Sequence, residues 1–190
     1  MRYKSYRGYG FGPIGFLVVA NLLVFFVTLV KPDLIYLLGL QPAALQEKPW
    51  TMLSNLFVHG GFGHIIANMF TLYFFGTYLL GLVGTRAFLL VYFLGGITGN
   101  IVYILLASPF SVAIGASGAI FALGGALAVM RPRLSVFVFP IPVPIPLWAA
   151  VIGGFLIMLF PGVAWQAHLG GLVLGLIAGY FFRRRERRLF

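Results

Sequence analysis

The chain has 190 residues, 61% of them hydrophobic and 8% charged, with a net charge of +10 and a mean hydropathy of +1.03. A soluble domain of this size carries about 25% charged residues, so the composition excludes an ordinary soluble domain. The basic surplus raises a nucleic-acid partner as one explanation, but its distribution along the chain assigns it to membrane topology instead.

Residues 1–12 form a short segment rich in Tyr and Gly that carries Arg2, Lys4 and Arg7. Run 13–31 is the first of six apolar runs read as membrane spans, about 30 Å of hydrocarbon setting the length required. Basic residues precede it as they precede a secretory signal. It is longer than a signal core, however, and Val30-Lys31-Pro32-Asp33 offers no small-residue cleavage site, so a retained span is expected. Residues 32–58 form the one long outer connection. A loop of that length is usually functional or disordered, and its apolar content favours function. Trp50 within it suits the membrane interface. The remaining runs are 63–83, 86–106, 115–130, 145–161 and 165–182. The fourth and fifth are short for a span. Between them lies Pro140-Ile141-Pro142-Val143-Pro144-Ile145-Pro146, where alternating proline forbids helix and favours a stiff extended connector. The tail 183–190 contains Arg183-Arg184-Arg185-Glu186-Arg187-Arg188 and suits anionic headgroups.

The expected architecture is all-α, a single six-transmembrane-helix domain over 1–190 without tandem repeats. With the N-terminus in the cytoplasm, only Lys31 and Lys48 of the thirteen Lys and Arg fall outside. The other eleven obey the positive-inside rule, both termini are then cytoplasmic, and no nucleic-acid partner is needed. The absence of cysteine excludes disulfides and thiolate metal sites.

Polar residues within the apolar runs are the candidates for chemistry. Ser117 lies in Gly115-Ala116-Ser117-Gly118 at the start of the fourth run, 14 residues before Arg131. His168 lies near the start of the sixth, 15 residues before Arg183. At 1.5 Å per residue these separations are about 21 and 22 Å, so the two side chains share one depth if both arginines mark the same face. A helix N-terminus offers free N–H groups and a positive dipole end, which favour an alkoxide nucleophile and an oxyanion. Serine is also a common N-cap, so the motif alone leaves both readings open. An ionisable residue inside a membrane is expensive and is a functional candidate by default. Gly171, Gly175 and Gly179 follow His168 on the same helix face, a small-residue stripe that admits a close neighbour such as Gly118, Ala122, Gly125 and Ala126 of the fourth run. His64 and Asn68 share a helix face at i and i+4 and supply donors near the depth of Ser117. Three histidines could instead bind zinc, but His-Glu-x-x-His is absent. Purely interhelical hydrogen bonding is the other reading. No carboxylate falls within a run, so a Ser-His dyad is more economical than a triad. Phe121, one turn beyond Ser117, could stack on the imidazole and orient it, or be ordinary core.

His59-x4-His64-x3-Asn68, Gly115-x-Ser117-Gly118 and Ala167-His168-x-x-Gly171-x-x-x-Gly175 together resemble the signature of rhomboid intramembrane serine proteases. The likeness extends from the first run to the sixth and includes the long outer connection. It implies that Ser117 is the nucleophile and His168 the general base. His64, Asn68 and the Ser117 N–H would form the oxyanion hole, with Gly115 and Gly118 flanking the nucleophile. His59 would support the site, and Gly171 and Gly175 would pack beneath the base. Family members cleave transmembrane proteins near the outer membrane face, favour small residues beside the scissile bond, and admit substrate laterally, with the fifth span the usual suspect. The resemblance implies transmembrane protein substrates and the lipid bilayer as partners, no metal or cofactor, and a prokaryotic cell membrane as location. Two departures stand out. The family often has Trp-Arg in the first outer loop, where this chain has Trp50-Thr51, and Tyr one turn after the nucleophile, where it has Phe121. An inactive rhomboid-like binder of membrane clients would not need both Ser117 and His168. A small transporter would want more charged residues along a path.

Overall fold

The computed structural model describes residues 12–138 and 142–187. Helix α1, Pro13–Val30, opens with proline, whose missing N–H is not needed in a first turn. The connection that follows is folded rather than irregular. It contains α2 (Leu34–Leu38), a 3-10 turn at Pro42–Ala44, α3 (Thr51–Ser54) and a second 3-10 turn at Asn55–Phe57. Next come α4 (Phe62–Val83), α5 (Thr85–Leu106) and α6 (Ser117–Met130). The two-residue strands β1 (Ser135–Val136) and β2 (Ile145–Pro146) pair antiparallel, Ser135 opposite Pro146. Helices α7 (Leu147–Ile157) and α8 (Trp165–Arg187) complete the chain.

Helices α1, α4, α5 and α8 are long and apolar enough to cross a membrane. Helices α6 and α7 are apolar but have 14 and 11 residues, about 21 and 16 Å of helix. The expectation of six spans is therefore met by length at four helices. Helix α7 is shorter than the run 145–161 because residues 145–146 pair as strand and the apolar stretch after Ile157 leaves the helix before Pro161 and Gly162. Helix α8 is longer than the run 165–182, because the arginines that follow are good helix formers. The segment read as a basic tail from 183 is thus helical to Arg187. Part of the proline-rich connector, residues 139–141, and the ends 1–11 and 188–190 lie outside the described residues.

Helix α6 is the centre of the bundle, with eleven of its fourteen residues buried. Helix α8 lies directly against it. A Cβ at Gly171 would overlap the Gly118 carbonyl oxygen, one at Gly175 that of Ala122, and one at Gly179 would come within 2.5 Å of that of Ala126. Helix α5 closes on both: a Cβ at Gly95 would overlap the Ala122 methyl, and one at Gly99 would lie 2.5 Å from the Ala167 carbonyl oxygen. Small residues let these three backbones touch, so dispersion contacts hold them where lipid supplies little hydrophobic drive. Large apolar side chains, among them Phe16, Phe26, Phe70, Leu105 and Phe181, cover the outside. At their opposite end from Ser117, α6 and α8 are tied by charge. Arg131 forks onto Glu186 at 2.6 and 2.8 Å, and Arg183 donates to the Val129 carbonyl at 3.2 Å.

Candidate active site

Ser117 is the first residue of α6, and His168 lies one turn into α8. Their starting points are brought together because the glycine contacts below them fix the register of the two helices. Ser117 Oγ lies 2.7 Å from His168 Nε2, within the hydrogen-bond reach that proton transfer between hydroxyl and imidazole requires. His168 is buried, and its Nδ1 has no hydrogen-bond partner among the described residues. Among the described residues no carboxylate bonds the imidazole. The Phe121 ring stacks on it with centroids 4.7 Å apart at 30°. Phe121 in turn meets Phe155 of α7 edge-on at 6.2 Å.

The turn into Ser117 is set by Gly115, at φ +116, a conformation that side chains other than glycine's rarely adopt. A Cβ there would also lie 2.7 Å from His64 Nε2. The His64 ring therefore occupies space that only glycine leaves open, beside Ser117. The Gly60 N–H points at His64 Nδ1 from 3.4 Å. With Nδ1 accepting, the neutral ring carries its proton on Nε2, the nitrogen nearest Gly115. Asn68 is buried on the same helix and donates one amide hydrogen to the His64 carbonyl at 2.9 Å, leaving the second free. His59 packs edge-on against His64 at 4.9 Å and is buried. Burial, and secondarily the nearby His64, pushes the His59 pKa down to about 4, partly opposed by the Phe57 carbonyl. His59 is thus a neutral ring. Gly118 packs beneath Ala167 and Gly171 and carries no polar side chain to the site. Among the described residues no three His, Cys, Asp or Glu side chains converge as metal ligands would.

Two residues that sequence reasoning passes over also shape this region. Asn55 and Asn100 exchange amide hydrogen bonds at 2.9 and 2.8 Å, both buried, and Asn100 donates to the Met52 carbonyl at 2.9 Å as well. The Asn55 carbonyl accepts from the Gly115 N–H at 2.9 Å. The connection between α1 and α4 is thereby pinned to α5 and, through one backbone bond, to the turn before Ser117. The available signal was Asn100 itself, a polar side chain deep in an apolar run. The segment is further held by Trp50 to the Leu37 carbonyl, Ser54 to that of Leu38, and a two-way backbone bridge between Leu40 and Ala113. Thr51 is buried, with its hydroxyl on the Lys48 carbonyl. Anchoring of this segment does not depend on an arginine at position 51.

A family model for the Rhomboid domain matches residues 46–185. The chain is 34% identical over 134 residues to Rhomboid protease GluP of Bacillus subtilis, covering 70% of this chain and 26% of that protein. It is 30% identical over 135 residues to RHOMBOID-like protein 4 of Arabidopsis thaliana, covering 70% of this chain and 34% of the relative. It is 28% identical over 163 residues to Rhomboid protein 1, mitochondrial, of Saccharomyces cerevisiae, covering 73% of this chain and 45% of the relative. The chain thus spans less than half the length of these three relatives.

Proposed function

Because this chain belongs to the rhomboid family of integral membrane proteins, we propose that it is an intramembrane serine endopeptidase working through a Ser117–His168 dyad. The observation that carries this reading is the 2.7 Å approach of Ser117 Oγ to His168 Nε2. In the first step His168 Nε2 takes the Ser117 proton as Oγ attacks the scissile carbonyl. The tetrahedral oxyanion accepts hydrogen bonds from the Ser117 N–H, the His64 ring and the free Asn68 amide hydrogen. His168 then protonates the leaving amine, and an ester to Ser117 remains. Water attacks that ester with His168 again as base, restoring the serine. Phe121 stacking supports the dyad in place of an orienting carboxylate.

Six membrane-crossing helices fit this chemistry, α6 and α7 being the short pair. A helix α6 that begins at Ser117 runs about 21 Å toward Arg131, short of a core of about 30 Å. Ser117 then lies below the far surface, within reach of water from that side. The end of the bundle that carries Arg131 and Arg183 is read as cytoplasmic, because the expected order of spans assigns eleven of the thirteen Lys and Arg of the sequence to that side. Both termini are then cytoplasmic, cleavage falls near the outer face of a prokaryotic cell membrane, and the substrates are transmembrane proteins. Helix α7, with only Leu147 and Val151 buried, is the least embedded wall and the best candidate for lateral access. The test is cleavage of a single-span substrate in reconstituted vesicles. The wild-type chain should cut it, and Ser117→Ala, folded and inserted, should not.

A further inference from the structure

At the basic end of the bundle a cleft of about 470 Å³ opens between three helices, lined by Tyr78 of α4, Met130, Arg131, Arg133 and Leu134 at the end of α6, and Arg183 of α8. Three guanidinium groups line it and, among the described residues, only one carboxylate, Glu186, lies near, bonded to Arg131. Arg131 is further committed to the Met130 carbonyl, and Arg183 to the Val129 carbonyl. Each guanidinium has five N–H donors, so neither is exhausted by these bonds. Arg133 is exposed and makes no hydrogen bond or ion pair among the described residues. The cleft therefore presents surplus positive charge and unused donors.

Its position adds a second constraint. Phe70, Phe74 and Tyr78 recur every four residues on one outward face of α4, 66%, 54% and 40% exposed, with the Phe70 and Phe74 rings 4.6 Å apart. Tyr78 lies at the cleft and Phe70 two turns toward the middle of the span. An apolar ridge thus leaves the charged cleft along a membrane-spanning helix. A free anion would use only the arginines, whereas a molecule with a charged phosphate and a long apolar chain would use both.

We propose that this cleft binds the headgroup phosphate of an anionic phospholipid through Arg133, Arg183 and the free face of Arg131, with one acyl chain lying on Tyr78, Phe74 and Phe70. A bound lipid would brace the ends of α4, α6 and α8 against one another, far from Ser117 and independently of any cleavage.

The test is native mass spectrometry of the full chain in detergent, titrated with phosphatidylglycerol or phosphatidylcholine. One phosphatidylglycerol should be retained in preference to phosphatidylcholine. One arginine near a membrane surface is worth about a fivefold change in affinity. Arg133→Gln should weaken retention by about that factor, and Arg133→Gln/Arg183→Gln by about twenty-five-fold. Arg184→Gln/Arg185→Gln removes equal charge outside the cleft and should leave the lipid in place. Millimolar inorganic phosphate should not displace it. Equal retention of both lipids, equal loss in the Arg184/Arg185 variant, or displacement by inorganic phosphate would each overturn the proposal. Should the double variant fail to fold, Arg133→Gln alone decides, because Arg133 has no bond to lose among the described residues. No arm of the test reads proteolysis, so its outcome is separable from the fate of the dyad.

Discussion

Gly171 of α8 rests on the carbonyl oxygen of Gly118 in α6, with no space for a Cβ between them. The two residues lie one turn from His168 and next to Ser117. The contact that packs the helices therefore also sets the separation of hydroxyl and imidazole. Gly171→Val and Gly175→Val should destabilise by at least the 1–3 kcal/mol typical of overpacking, because the obstacle is backbone. Gly153→Ala, inside α7 where a Cβ would meet nothing within 4 Å, should not lower the melting temperature and gains the helix propensity of alanine. A Gly171→Val protein as stable as wild type would show that α8 does not pack on α6 through this stripe.

The Asn55–Asn100 pair predicts coupling between the α1–α4 connection and the turn before Ser117. Removing one amide leaves its partner buried and unsatisfied, at about 1–3 kcal/mol. Asn55→Ala and Asn100→Ala should each destabilise by that amount, while the double variant costs less than their sum. A double-mutant cycle by thermal unfolding measures the difference. Strict additivity would mean that the pair does not act as a unit.

His59 predicts a dependence of stability on pH. Its folded pKa, about 4, lies below the ordinary 6.5, so the unfolded chain takes up a proton that the folded chain refuses. The contribution is fully present above pH 6.5, declines as pH falls toward 4, and declines no further below that. At about 1.4 kcal/mol per pKa unit, the upper limit is roughly 3 kcal/mol. His59→Gln should flatten the pH profile between 6.5 and 4 relative to wild type. Parallel profiles would remove His59 from the account.

The proposed oxyanion donors, His64 and Asn68, predict graded losses. One such donor is worth about 10²–10³ in rate, and less where others compensate. Asn68→Ala and His64→Ala should each lower kcat by about tenfold or more, with the double variant lower still. Because Asn68 also bonds the His64 carbonyl, part of its effect should appear in stability. Full turnover in the double variant would remove both from the oxyanion hole.

How far these features are legible in sequence depends on their range. Span ends at Val30, Val83 and Leu106 follow from apolar run lengths and from breakers such as Pro32 and Gly84. The end of α7 does not, since residues 158–164 are as apolar as a helix and yet form a loop around Pro161 and Gly162. Nor does the end of α8, where an arginine run that reads as a basic tail against anionic headgroups continues the helix and places Glu186 on Arg131. The proximity of Ser117 and His168 is legible because equal distances from Arg131 and Arg183 set a common depth, and those two boundaries do lie together, with Arg183 on the Val129 carbonyl. The Asn55–Asn100 pair, 45 residues apart, leaves no periodic trace, and the short helices of the α1–α4 connection are too brief for one.

The dyad is tested most directly by an activity-based probe. A fluorophosphonate added to the reconstituted chain should form one covalent adduct, located by peptide mass spectrometry on Ser117. It should be absent from Ser117→Ala and strongly reduced in His168→Ala, with both variants retaining wild-type melting behaviour. An adduct that persists in Ser117→Ala, or that maps to Ser54, Ser108 or Ser111, would contradict the proposed mechanism.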